Sequence, residues 1–285
     1  MAEILDGKAV AATIRAEVAE GVAELRERGI PVRLDVVLVG DDPASATYVR
    51  MKQKDCDEVG IESQAHRFPA DASQNELAAL VEELNSDAAV SGFFIQLPLP
   101  GGLDPLALIS AIDPAKDVDG LNPLSAGRLA VGLPSLLPCT PHGVVQLLKR
   151  SGVEMEGREA VVIGRSNLVG KPLAQLLLRE NATVTVCHSR TKNLPEVARR
   201  ADLLVVAAGR REFVGAEYVR EGAAVVDVGI HAREEGGLVG DVRFEEVEPR
   251  ASYVSPVPGG VGPMTRAMLL YNTLQAARAA AGEVG

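Results

Sequence analysis

Apolar residues along the first half of the chain recur at helical spacing in some segments and form short continuous runs in others. Ile14, Val18 and Val22 recur every four residues, which predicts an amphipathic helix over about residues 8–28. The same signals, with turn residues between them, predict the other elements of this half: a strand at 34–39, a helix over 43–59, a strand at 65–68, a helix from a Ser73–Glu76 capping box to Leu84, and a strand at 90–96. Strands that alternate with helices indicate a mostly parallel sheet.

The second half of the chain repeats this alternation. Strands are predicted at 160–163, 183–187, 203–207 and 223–228, with helices between them. This is the pattern of a doubly wound, Rossmann-type sheet. A loop rich in Gly and Pro at 255–263 then leads into an Ala-rich helix that runs to the C-terminus.

The chain has 285 residues, about twice the usual domain size, which predicts two domains. Residues 113–141 are rich in Pro, Gly and Asp, a composition typical of a domain boundary. We therefore expect one domain over 1–139 and 268–285, and a second over 140–267. The predicted fold class is α/β, with an N-terminal α/β domain, a doubly wound Rossmann-type domain, and a C-terminal helix that packs back on the first domain.

Charge and cysteine content narrow the partners and the compartment. The 29 basic and 39 acidic side chains give a formal net charge of −10, and no basic run offsets it, so neither nucleic acid nor a membrane is an expected partner. The three cysteines lack CxxC spacing and no histidine has a partner at metal-ligand spacing, so neither a disulfide nor a metal site is predicted. With an acidic N-terminus unlike a signal peptide, the cytoplasm is the expected compartment.

A turn in the second half points to a dinucleotide. The predicted strand 160–163 ends at Gly164, and Gly170 precedes an apolar helix, so the segment GRSNLVG joins a strand to a helix N-terminus. Backbone amides and the positive end of the helix dipole bind pyrophosphate at such a point. Gly164, Arg165, Ser166 and Gly170 are therefore candidate cofactor-binding residues, although Ser166 replaces the middle glycine of GxGxxG and the last glycine comes one residue late.

The same turn allows other interpretations. A Walker A loop is disfavoured, because five residues instead of four separate Gly164 from Gly170 and Pro172 stands where that motif has its Ser or Thr. A plain strand-to-helix turn with glycines for packing remains compatible with the turn alone. A regulator that binds a dinucleotide without turnover is equally compatible.

The end of the next strand bears on which dinucleotide is preferred. It reads Cys187-His188-Ser189-Arg190, without the acid that NAD-binding folds place on the adenine ribose. An acid would repel a 2′-phosphate, whereas Ser189, Arg190 and Arg165 can donate hydrogen bonds to one. The sequence therefore predicts NADP as the cofactor.

The second predicted helix carries Tyr48 and Lys52 one turn apart on one face. A lone helical lysine is usually solvated, so this spacing by itself does not identify a catalytic group. The segment around it is one of five, in the same order, through which the chain resembles the bifunctional methylenetetrahydrofolate dehydrogenase/methenyltetrahydrofolate cyclohydrolase family. The segments are YVRMKQK at 48–54, IQLPLP at 95–100, KDVDG at 116–120, GRS at 164–166 and PVPGGVGPMT at 256–265.

The resemblance implies roles for individual residues. Lys52 would be the central acid/base group, Gln96 would hold it, and Tyr48 would pack against the folate, which makes these three the candidate catalytic residues. Asp119 would bind the amino edge of the pterin, and the loop from Pro258 to Thr265 would close the cleft. The other implied contacts are those of Gly262 and Pro263 with the folate and of Ile230 and Thr265 with the cofactor.

The implied activity is NADP-dependent oxidation of 5,10-methylenetetrahydrofolate to 5,10-methenyltetrahydrofolate, followed by hydrolysis to 10-formyltetrahydrofolate, in one-carbon metabolism and purine biosynthesis. The family also implies a homodimer, with a folate-binding catalytic domain and an NADP-binding domain. Hydride transfer needs alignment, whereas attack of water on the methenyl cation needs a base. A neutral lysine, which partial desolvation beside a cationic substrate favours, can be that base. The alternative is a monofunctional NAD(P)-dependent dehydrogenase on the same fold.

Overall fold

The computed structural model describes residues 2–233 and 235–283. It divides into two compact units: a large-sheet unit of Met1–Ala12 and Thr140–Thr265, and a small-sheet unit of Thr13–Cys139 and Arg266–Gly285. The helices are α1 (Gly7–Glu27), α2 (Pro43–Val59), α3 (Gln74–Ser86), α4 (Pro105–Ala111), α5 (Pro123–Ala130), α6 (Cys139–Arg150), α7 (Gly170–Arg179), α8 (Leu194–Ala198), α9 (Phe244–Val247) and α10 (Val261–Ala280). The strands are β1 (Glu3–Ile4), β2 (Arg33–Val39), β3 (Glu62–Phe68), β4 (Gly92–Ile95), β5 (Glu159–Ile163), β6 (Thr183–Cys187), β7 (Leu203–Val206), β8 (Ala224–Asp227), β9 (His231–Ala232), β10 (Leu238–Val239) and β11 (Tyr253–Val254).

Six parallel strands form the sheet of the large-sheet unit, in the order β1-β11-β8-β7-β5-β6. Its central strands are short, LLVV in β7 and AVVD in β8, and every residue in them is buried, as a parallel sheet covered on both faces requires. Ile163 pairs with both Cys187 and Val206, so β5, β6 and β7 end at the same edge. Parallel sheets bind ligands outside this carboxyl edge.

Three parallel strands, in the order β3-β2-β4, form the sheet of the small-sheet unit. The pairing of Val37 with Ile95 brings the ends of β2 and β4 to one edge. Helix α2 begins just after β2, because the Asp42 carboxylate accepts the N–H of Ser45 at 2.7 Å. It ends at Gly60, whose φ of 79° is a left-handed conformation that favours glycine.

The structure confirms the predicted α/β fold class and most of the predicted elements. The capping box of Ser73 and Glu76 opens α3 as expected. From Arg266 onward α10 belongs to the small-sheet unit, where Arg278 donates to Glu24 of α1 at 3.3 Å, so the C-terminal helix packs back as predicted. No helix in residues 2–233 and 235–283 is long and apolar enough to cross a membrane.

Two expectations were wrong in detail. Residues 2–12 lie in the large-sheet unit and not with 13–139, because β1 pairs with β11 at the edge of the large sheet. Between β7 and β8, where a helix was expected, residues 207–223 contain only a 3-10 turn at Ala216–Tyr218. The predicted boundary segment, 113–141, contains α5 and the start of α6, and the two units do divide within it, between Cys139 and Thr140.

Candidate functional site

The amine of Lys52 lies over the carboxyl end of β4. Its Nζ donates to Oε1 of Gln96 at 3.3 Å and lies 3.8 Å from the centroid of the Phe94 ring. The Gln96 amide is itself oriented, because its Nε2 donates to the carbonyl of Leu97 at 2.7 Å. Lys52 therefore has one neutral hydrogen-bond acceptor and one aromatic face beside it, and among the described residues no carboxylate forms a hydrogen bond or ion pair with it.

The face of α2 that carries Lys52 changes from exposed to buried along the helix. Tyr48, one turn before Lys52, is 45% exposed. Cys56, one turn after it, is fully buried, and burial raises the pKa of its thiol to about 12. Cys56 is thus a core residue, whereas the Tyr48 ring is open to a ligand and Lys52 is half-buried between them.

The KDVDG segment runs beside β4 like a short extra strand. Phe93 forms a parallel bridge with Asp117, and the N–H of Phe93 donates to the Lys116 carbonyl at 3.0 Å. This arrangement carries Asp119 to the edge where β4 ends at Ile95. The predicted residue Asp119 therefore lies at the same edge of the small sheet as Gln96.

The two acids of KDVDG have different environments. Asp117 is 1% exposed, and its carboxylate accepts the backbone N–H groups of Leu121 at 3.2 Å and Asn122 at 2.8 Å. Burial raises the pKa of Asp117 to about 6, against the opposing effect of those two amides. Asp119 is partly exposed, so the structure leaves Asp119 available to a ligand and uses Asp117 to close the loop.

Two residues that the sequence did not indicate, Cys139 and Asn272, lie near Asp119. Cys139 is buried, and both its burial and the neighbouring Asp119 carboxylate hold the pKa of its thiol well above the usual range, while Lys52 acts in the opposite direction. Lys52 and Asp119 are therefore both within electrostatic range of one thiol. Asn272 of α10 donates to the carbonyls of Val118 and Leu137, each at 2.8 Å. These two hydrogen bonds fix the backbone just before Asp119 and just before Cys139.

A partly buried ion pair anchors α2 as well. Arg266 donates through two nitrogens to the carboxylate of Asp55, which is 2% exposed and lies three residues after Lys52. Two parallel hydrogen bonds of this kind fix orientation as well as distance. No sequence spacing connects Asp55 with a residue so far along the chain, so this contact is visible only in the structure.

In the large-sheet unit, the turn from Gly164 to Gly170 can only be built with glycine at both ends. Gly164 has a φ of 136°, and a Cβ there would lie 2.1 Å from the carbonyl oxygen of Ala207. A Cβ on Gly170 would lie 2.2 Å from the carbonyl oxygen of Gly164. Ser166 takes part in the turn, because its Oγ accepts the N–H groups of Val169 at 3.1 Å and Gly170 at 3.4 Å.

The loop after β6 is a closed turn that presents Ser189 and Arg190 to solvent. The Thr191 N–H donates to the His188 carbonyl at 2.8 Å, and the Thr191 hydroxyl accepts the His188 N–H at 2.9 Å. The N–H of Arg190 donates to Nδ1 of His188 at 3.1 Å. The Gly164 N–H bonds to the Cys187 carbonyl at 2.9 Å, so this loop and the glycine turn start from adjacent points at the carboxyl edge.

The remaining predicted residues lie around the start of α10. A Cβ on Gly262 would be 3.7 Å from the Ile230 side chain, and Ile230 is 46% exposed. The hydroxyl of Thr265 is 2.9 Å from that of Thr140. The expectation of a loop from Pro258 to Thr265 was wrong in part, because α10 already begins at Val261. Gly262, Pro263 and Thr265 therefore lie in the first turns of the helix.

Comparisons with known proteins agree with this arrangement. The model of the tetrahydrofolate dehydrogenase/cyclohydrolase catalytic domain matches residues 5–119, and that of the tetrahydrofolate dehydrogenase/cyclohydrolase NAD(P)-binding domain matches residues 138–281. The bifunctional protein FolD 1 of Rubrobacter xylanophilus is 77% identical over 278 residues, which cover 98% of each chain.

Two solved structures extend the likeness to the fold. The bifunctional enzyme FolD of Campylobacter jejuni, a methylenetetrahydrofolate dehydrogenase/cyclohydrolase, has a TM-score of 0.96 at 49% identity, over 98% of this chain and 99% of that one. The Trypanosoma brucei N5,N10-methylenetetrahydrofolate dehydrogenase-cyclohydrolase, solved with NADP and an inhibitor, has a TM-score of 0.93 at 40% identity, over 98% of each chain. The chain therefore belongs to the tetrahydrofolate dehydrogenase/cyclohydrolase family.

Proposed function

We propose that this chain oxidises 5,10-methylenetetrahydrofolate to 5,10-methenyltetrahydrofolate with NADP and hydrolyses the product to 10-formyltetrahydrofolate. The observation that carries the proposal is the Lys52 amine, held 3.3 Å from a neutral amide oxygen and 3.8 Å from a ring centroid. A carboxylate partner would stabilise the ammonium form and oppose its use as a base. Gln96 orients the amine without adding that charge.

The small-sheet unit supplies the groups that the folate requires. Lys52 takes a proton from the attacking water and returns it to the departing nitrogen of the methenyl cation. Asp119, partly exposed at the same sheet edge, offers two acceptor oxygens to the paired donors of the pterin amino edge. Tyr48 stacks against the folate. The family resemblance assigns two further folate contacts, Gly262 and Pro263, which lie outside the small-sheet unit at the start of α10.

The large-sheet unit fits NADP. The glycine turn leaves the space that a Cβ at 164 or 170 would fill, which allows a pyrophosphate to approach the N-terminus of α7. Arg165, Ser166, Ser189 and Arg190 are exposed and donate to the phosphates, and Ile230 and Thr265 line the nicotinamide side. NADP, when bound, accepts the hydride from the one-carbon bridge.

A spectrophotometric assay with 5,10-methylenetetrahydrofolate tests both activities on the full chain. NADPH formation and the decay of methenyltetrahydrofolate are followed separately, and kcat/KM is compared for NADP and NAD. We expect both signals and a preference for NADP. Methenyl decay at the uncatalysed rate would leave only the monofunctional dehydrogenase, and a clear preference for NAD would contradict the roles of Ser189 and Arg190.

The assembly, compartment and pathway are part of the same proposal. The family resemblance supports a homodimer whose 10-formyltetrahydrofolate serves purine biosynthesis, and the three buried free cysteines, Cys56, Cys139 and Cys187, suit a reducing cytoplasm. Light scattering on the purified chain measures the assembly. A mass equal to that of one chain would contradict the homodimer.

A further inference from the structure

Two aspartates at the carboxyl edge of the large sheet have no part in the site described above. Asp227 ends β8 and Asp241 lies two residues after β10, and their relative exposures are 3% and 0%. A buried carboxylate is costly unless hydrogen-bond donors surround it. The donors around each carboxylate therefore show what it holds in place.

The Asp241 carboxylate has four donors, and they come from two loops. Three are consecutive backbone N–H groups of the loop after β7: those of Ala208 at 2.7 Å, Gly209 at 2.8 Å and Arg210 at 2.8 Å. The fourth is Nε2 of His231, at 2.7 Å, in the segment after β8. A carboxylate has about four acceptor positions, so these two loops use all of them.

Asp227 fixes the backbone that carries Asp241. Its carboxylate accepts the N–H groups of Gly229, Asp241 and Val242, each at 2.9 Å. The two carboxylates approach the backbone so closely that a Cβ on Gly240 would lie 1.8 Å from Asp227 Oδ2, and a Cβ on Gly229 would lie 2.4 Å from Asp241 Oδ1. The segments Asp227–Gly229 and Gly240–Val242 therefore form one interlocked support.

This support holds the loops that border the glycine turn. Ala207, which begins the loop after β7, has its carbonyl oxygen 2.1 Å from where a Cβ on Gly164 would be. Ile230, a proposed cofactor contact, immediately precedes His231. Because ligands of parallel sheets bind outside the carboxyl edge, the shape of these two loops sets the shape of the cofactor site.

We propose that Asp241 is a positioning residue for the dehydrogenase reaction, whose carboxylate holds the loop Ala207–Arg210 and His231 in the form that receives NADP. The inference rests on the cofactor site proposed above. Asp241 touches neither reactant. Its effect passes through backbone amides that are already committed to it, so the loops are ordered before the cofactor arrives.

Asp241→Asn in the full chain tests the inference. The variant keeps the size of the side chain but places an NH₂ group against N–H donors. We expect kcat/KM for NADP in the dehydrogenase reaction to fall about 10- to 100-fold, and the Kd of NADPH, measured by its fluorescence, to rise. Hydrolysis of methenyltetrahydrofolate without cofactor should stay within about twofold of wild type, because it does not use these loops.

Asp202→Asn is the matched control. Asp202 precedes β7 at the opposite edge of the same sheet, where its carboxylate accepts the Glu159 N–H at 3.0 Å and pairs with Arg220 at 2.6 Å. This variant also removes one acceptor oxygen from a carboxylate of the unit, and we expect both activities to be unchanged. A loss in Asp202→Asn equal to that in Asp241→Asn would show a general effect on folding and overturn the inference.

Two further outcomes of Asp241→Asn would also overturn the inference: equal losses of both activities, and no loss of either. If the Asp241→Asn variant does not fold, His231→Leu tests the proposal instead, because it removes one donor to Asp241 and leaves the three backbone amides. A loss confined to the dehydrogenase reaction supports the proposal. Wild-type NADP kinetics refute it. Failure of the cofactor site itself is distinguishable. It would appear in the wild-type chain, as absent NADPH formation or a preference for NAD.

Discussion

Lys52→Met separates the two proposed activities most directly. Methionine has a similar length and can fill the space against the Phe94 ring. The variant loses the hydrogen bond to Gln96 at 3.3 Å and the cation–π contact at 3.8 Å, each worth about 1 kcal/mol, so the fold should be retained. Loss of a general base slows a reaction by about 10²- to 10⁴-fold, which corresponds to about 3–5 kcal/mol in the barrier to methenyl hydrolysis.

Lys54→Met is the matched control, since it removes an amine from the same helix. Lys54 is 77% exposed, and its Nζ is 3.9 Å from Glu58 on the helix surface, so we expect hydrolysis at the wild-type rate. The assay follows methenyltetrahydrofolate decay without cofactor, with circular dichroism and NADPH binding as measures of folding. Hydrolysis by Lys52→Met within about threefold of wild type would refute the role of Lys52 as the base. A loss of hydrolysis only in Lys54→Met would assign that role to Lys54.

Three further predictions concern the segment around Asp119. Asp119→Ala should raise the KM for folate about 10- to 100-fold, because charge-assisted hydrogen bonds to the pterin are lost; an unchanged KM would contradict this role. Asn272→Leu leaves the carbonyls of Val118 and Leu137 without their donor and should cost about 2–4 kcal/mol in urea unfolding, and an unchanged midpoint would refute the anchor. The pKa of Asp117, raised by burial to about 6, exceeds the unfolded value near 4, so the folded state holds the proton more tightly and stability falls as the pH rises through this range. Relative to Asp117→Asn, the wild-type free energy of unfolding should fall by about 2 kcal/mol between pH 4 and 7, and parallel pH curves for the two proteins would contradict this.

The fold could be predicted wherever one segment carries its own signal. The run at 34–39 and the periodic helix before it are long enough to identify from apolar spacing, and both are present as β2 and α1. β1 and β11 have two residues each, too few for any period, and are strands because β1 pairs with β11 and β11 pairs with β8. The helix expected between β7 and β8 came from the alternation of the fold and not from its residues, and there the prediction failed.

The residues of the site likewise divide into those that local sequence predicts and those that it does not. Tyr48 and Lys52 share a helix face, so their proximity follows from local spacing. Phe94 could have been found, because it lies two residues before Gln96 and strand alternation places both on one side. Asn272 could not, since its hydrogen bond to Val118 joins residues 154 positions apart, and nothing in either segment specifies the other.

Burial, more than residue type, separates the aspartates that hold loops from the one proposed to hold substrate. Asp117, Asp227 and Asp241 are at most 3% exposed, and every one of them uses both carboxylate oxygens on backbone N–H groups. An asparagine has one acceptor oxygen and a glutamate is longer, so neither can replace them without leaving a buried donor unpaired. Asp119 differs from Asp117 by two positions and by its exposure. An acid whose oxygens are already committed to the backbone cannot also bind a pterin, and this is the physical reason to assign the folate to Asp119.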